Sequence, residues 1–157
     1  MSQAINAPAR TAVQNPPRIG RYSDAVIAYG ILRLSFGVNI MLHGLSRLLA
    51  GQAGFLAYLN HYFEKTPLMP KGFLPIFGLV LPPVEAAVGL LLLLGLATRF
   101  SLIVGGLVMT VLVFGTNLAQ DWNVAGLQLI YCFLYYYLLV HRSERNGLSL
   151  DAWLGRS

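Results

Sequence analysis

The chain has 157 residues, of which 56% are hydrophobic and 11% charged, with a net charge of +5 at neutral pH. Soluble domains carry roughly 25% charged residues, so this sequence lacks the polar surface that a water-facing globule needs. Its basic residues bracket apolar runs and are not interleaved with aromatics, which argues against a nucleic-acid binder and for a protein whose partner is a lipid bilayer.

Residues 1–22 combine Pro8, Pro16 and Pro17 with Arg10, Arg18 and Arg21. They read as a flexible basic tail that is retained, since the next apolar run is too long for a signal peptide. Residues 23–157 then form one membrane domain. The first apolar run, about residues 25–49, exceeds the ~20 residues that cross a bilayer as a helix. Lipid leaves its backbone no partner but itself, so a helix is expected. Glycines recur every seven residues at Gly30, Gly37, Gly44 and Gly51, alternating with Arg33, Ile40 and Arg47. That period predicts left-handed packing with close backbone approach. Arg33 lies roughly 10 Å inside its end of the helix. An arginine near a helix centre costs about 2.5–3.5 kcal/mol, so a partner is expected. Arg47, near the other end, reads as an anchor that snorkels to the interface. His43 changes charge near neutral pH; it is either a quiet hydrogen-bonded side chain or a contact to a quinone carbonyl.

In residues 51–72, Phe55, Leu59, Tyr62 and Phe63 recur at near-helical spacing beside Asn60, His61, Glu64 and Lys65. A short amphipathic helix on the membrane surface is predicted there, ended by Pro67 and Pro70. The second apolar run, residues 73–97, places Glu85 near its middle, about 18 Å from each face. Its depth falls between those of Arg33 and His43, which predicts an Arg33–Glu85 pair. Such a pair serves either as a structural tie that fixes helix register or as a site for a head group or protons. Pro82 and Pro83 predict a kink that frees carbonyls to line a polar cavity.

The third run spans residues 100–118, where Gly105 and Gly106 read as close packing, and the fourth spans 124–140. In the fourth, Gln128 and Tyr131 share a face and offer an amide and a hydroxyl to a cavity. The short connections predict antiparallel neighbours. The fold class is therefore all-α: an antiparallel four-helix transmembrane bundle with an amphipathic loop between helices 1 and 2. One side collects Arg10, Arg18, Arg21, Arg99, Arg142, Arg145 and Arg156, the other Lys65 and Lys71. This asymmetry puts both termini in the cytoplasm, with a bacterial inner membrane as the expected location. Cys132 is the only cysteine, so no disulfide framework or redox pair is available, and the three scattered histidines suggest no metal site.

The ordered segments "LRLSFGVNIMLHGLSRLL", "LPPVEAAVGLLLLLGLATR" and "LSLDAWL" resemble the DoxX/DoxD family of small four-helix membrane proteins. The matching positions are Arg33, His43-Gly44, Glu85, Gly89, Gly95 and Thr98-Arg99, with Leu148–Leu154 matching the family's tail; together they cover about residues 25–154. The family takes its name from a subunit of a thiosulfate:quinone oxidoreductase, and relatives are linked to oxidoreductase complexes or to assembly roles. The resemblance thus implies an accessory subunit of a quinone-linked membrane oxidoreductase. Quinone is the candidate cofactor, and a redox subunit or a second copy (a homo-oligomer) is the candidate partner. In that picture Arg33 and Glu85 form the central pair, while His43, Tyr131 and Gln128 contact the quinone head. The alternative is a non-enzymatic membrane protein that assembles or stabilises another complex. Some relatives use cysteine pairs for thiol chemistry, and this chain has none.

Overall fold

Among the described residues of the computed structural model, four helices are long and apolar enough to cross a bilayer: α1 (Asp24–Leu49), α3 (Phe73–Leu94), α4 (Thr98–Leu118) and α5 (Trp122–Val140). A shorter helix, α2 (Gly51–Tyr62), joins α1 to α3, and two single turns, α6 (Arg142–Arg145) and α7 (Leu150–Trp153), follow α5. The structure describes residues 18–19, 22–70 and 72–155. Of the expected tail, Arg18–Ile19 (β1) pairs with Tyr22–Ser23 (β2) in a two-stranded ladder. The rest of the tail lies outside the described residues, as do Lys71 and Arg156.

Glycines set the turns. Gly51, at φ +78, lets the chain leave α1 directly into α2. Gly95, at φ +65, closes α3 in a left-handed cap, with the Leu96 N–H donating to the Leu91 carbonyl at 2.9 Å. Between those points α3 runs unbroken through Pro82 and Pro83.

The tightest contact in the bundle is α1 against α3. Gly37 faces the backbone of Gly89 and Leu93, and Gly44 faces that of Pro82 and Ala86. A Cβ added at Gly37 would lie 2.6 Å from the Leu93 nitrogen, closer than any real contact. Lipid supplies no hydrophobic drive between helices, so dispersion at such small-residue seams is what holds them. Gly30, by contrast, meets the Leu148 side chain beyond α5. The main core gathers Tyr29, Phe36, Ile40, Val88, Leu92 and Leu138, and a second cluster joins Phe55 and Leu59 of α2 to Leu81 of α3. On α4, Gly105 makes room for the Tyr135 ring of α5. Outward-facing residues such as Ile31, Leu107, Phe114 and Phe133 are large, apolar and exposed, a surface suited to hydrocarbon and not to water.

Candidate functional site

Two arginines from one face of α1 organise two separate polar sites. Arg33, only 2% exposed, does not reach Glu85. Its Nη1 donates to the carbonyls of Leu92 and Leu93, and its Nη2 donates to the Leu148 carbonyl at 2.7 Å. The physical reason is the end of α3. The last carbonyls of a helix have no intrahelical donor, and a cation there satisfies them and complements the helix dipole. Gly95 is needed here twice, for its positive φ and because a Cβ would lie 2.7 Å from Arg33 Nη1.

The C-terminal segment closes the same corner. The Asp151 carboxylate accepts from the N–H groups of Ala97 (2.8 Å) and Thr98 (2.7 Å), the unpaired donors at the start of α4. Ala97 sits at φ +47, where residues with a Cβ are seldom found, and this double bond holds it there. Asn146 donates to the Thr98 hydroxyl at 3.1 Å, and the Asp151 N–H returns to the Gly95 carbonyl at 2.9 Å. Burial pushes the Asp151 carboxyl up. The hydrogen bonds from Thr98 and Ala97, with the Arg142 charge, outweigh that and hold it below the usual aspartate range.

The expected Arg33–Glu85 pair is therefore corrected. Glu85, 7% exposed, forms its ion pair with Arg47. Because Gly44 seats on the Pro82–Ala86 turn, Glu85 stands level with the His43–Arg47 end of α1 and not with its middle. Arg47 is correspondingly not a free interfacial anchor; its guanidinium also stacks on Phe55, with Cζ 5.1 Å from the ring centroid. The carbonyls that Pro82 and Pro83 leave without a helical donor, those of Gly78 and Leu79, accept no side-chain hydrogen bond among the described residues.

Beside this pair lies a half-open cavity of about 270 Å³ lined largely by α2, α3, α4 and α5. Its walls are mostly apolar and aromatic, including Phe55, Tyr58, Phe63 and Phe77. Three kinds of polar group reach it. Arg47 closes one edge. The Gln128 carboxamide meets the Thr116 hydroxyl at 2.8 Å. Tyr62 donates its hydroxyl to Asp121 at 2.8 Å and so ties α2 to the α4–α5 turn. Burial, then the bond to Asp121, raise the Tyr62 hydroxyl above its ordinary pKa, so it stays protonated at neutral pH.

Of the residues expected to meet a quinone head, only Gln128 lines the cavity. Tyr131 donates to Asn39 of α1 at 3.1 Å, and His43 is exposed on the outer face of α1. Sequence reasoning missed Arg47, Tyr62, Thr116 and Asp121.

The sequence profile of the DoxX family matches residues 28–118. No curated protein and no solved structure matches the chain significantly. The matched region contains both arginines' helix partners and most of the cavity wall, while Asp151 and Gln128 lie beyond it.

Proposed function

The chain belongs to the DoxX family of membrane proteins, and on that footing we propose that it is the accessory subunit of a quinone-linked membrane oxidoreductase. The observation that carries this reading is the aromatic cavity beside Arg47 and Gln128. Small-molecule sites are mostly apolar, with a few fixed polar groups that set orientation. At about 270 Å³ the cavity has room for one substituted ring. The Gln128 amide would donate to a ring carbonyl, Arg47 would complement the electron-rich oxygens, and the phenylalanines would cover the ring faces. A quinone bound there would supply the redox capacity; this chain's residues bind it, orient it and exclude water.

In this reading the four spans alternate in direction, both termini lie in the cytoplasm of a bacterial inner membrane, and α2 rests amphipathically on the opposite face. The excess of arginine around Arg99, Arg142 and Arg145, against Lys65 on the other side, supports that orientation. The test is native mass spectrometry of protein extracted gently from its own membrane. A bound quinone that Gln128→Leu depletes, or a co-purifying redox subunit, supports the reading. A bare protein, or one attached to a non-redox partner, replaces it with an assembly role.

A further inference from the structure

The face of α1 turned away from α3 has a pattern of its own. Ala28, Leu32, Ser35, Asn39, Leu42 and Ser46 follow one another at alternating steps of four and three residues, which is a second heptad seam. All are exposed except Leu32, which is half-buried. At the centre of this seam stands Asn39. Its Oδ1 accepts the Tyr131 hydroxyl at 3.1 Å, which fixes the carboxamide, and its N–H groups have no acceptor among the described residues. Ser46 satisfies itself on the His43 carbonyl at 3.0 Å, whereas the Ser35 hydroxyl has no such bond. Hydrocarbon offers no acceptor to an amide at this depth, so an acceptor from another chain is needed.

We propose that this seam is the interface of a two-fold dimer, in which α1 packs against α1 of a second copy. Two properties select a second copy over a different partner, and a third lets the helices close. All copies insert with one orientation, so a two-fold axis along the membrane normal makes the two α1 helices parallel, the arrangement a heptad seam serves. In parallel pairing a residue of one seam position meets its own counterpart, and a carboxamide is both donor and acceptor, so two Asn39 side chains satisfy each other. Ala28 and Ser35, one heptad apart, are small enough for the backbones to approach. The interface is separate from the cavity, whose lining contains none of these residues.

The test is cysteine cross-linking of the full chain in native membranes, in a Cys132→Ser background. Oxidation should yield a species of twice the mass with Ser35→Cys and Leu42→Cys, and none with Leu34→Cys or Leu45→Cys, which point off the seam. In vesicles, Asn39→Leu should weaken dimerisation roughly tenfold, whereas Tyr131→Phe, which keeps the amide, should leave the dimer in place. Cross-linking without this periodicity, adducts only to a different protein, or a dimer indifferent to Asn39→Leu would each overturn the proposal.

Discussion

Arg33 and Arg47 stand on one face of α1, two heptads and about 21 Å apart, in similar apolar company. Their surroundings separate them completely. Both terminal nitrogens of Arg33 are spent on backbone carbonyls at the end of α3 and before α7, in a corner where Asp151 satisfies the opposing helix end, and its buried Nε alone has no partner among the described residues. No residue of that corner lines the cavity. Arg47 instead shares one carboxylate and one aromatic ring, and borders a cavity. The lesson is that an intramembrane charge signals function when it borders space that a ligand can occupy, as Arg47 does and Arg33 does not. The end of a helix can absorb a buried arginine as fully as a binding site can.

The largest effect should come from the Arg33 corner. Arg33→Met strands the carbonyls of Leu92, Leu93 and Leu148 and should cost about 3–5 kcal/mol, seen as loss of folded protein or a large fall in Tm in micelles. Replacing both members of the other pair, Arg47→Met with Glu85→Met, should cost far less, because removing a buried ion pair whole is often nearly neutral. Equal losses would erase the distinction between the two regions. Next in size is the α1–α3 seam: Gly44→Ala drives a Cβ into the backbone of Ala86 and should cost about 1–3 kcal/mol. Gly54→Ala, in open space on α2, should be neutral or stabilising by up to about 1 kcal/mol.

Asp151 sharpens the comparison through pH. Its carboxyl is held below the usual value, so its contribution is present above about pH 4 and lost as pH falls through the lower folded-state pKa. Stability should therefore fall in the wild type as pH drops from about 5 to 2, and Asp151→Asn should flatten that pH dependence while lowering stability at neutral pH. The smallest effect is expected at the cavity rim. Tyr62→Phe removes one hydrogen bond, worth about 1 kcal/mol, and should loosen α2 enough to raise its amide exchange without unfolding the bundle.

The four spans were legible because lipid demands uninterrupted apolar helices, and the limits of α1 and α3 at Leu49 and Phe73 agree with the sequence reading. The heptad glycines likewise showed which face of α1 could approach another backbone. The partners of the arginines were not legible. Sequence shows side-chain charges, so Glu85 looked like the natural acceptor for Arg33, while the competing acceptors were backbone carbonyls that exist only because α3 stops at Leu94. Depth counted from assumed helix ends also misplaced Glu85 by more than a turn, and only the seating of Gly44 on Pro82–Ala86 sets the true level. The cavity was invisible for a similar reason: its walls come from four helices, and no local motif announces it.

The most direct test of the account is thermal unfolding of the purified protein with and without a short-chain quinone, in the wild type and in Gly115→Leu. Gly115 lines the cavity, and a leucine there would fill it toward Phe63. The account predicts that quinone raises Tm in the wild type and leaves Gly115→Leu unmoved. An unchanged wild type, or the same rise in both proteins, would contradict it.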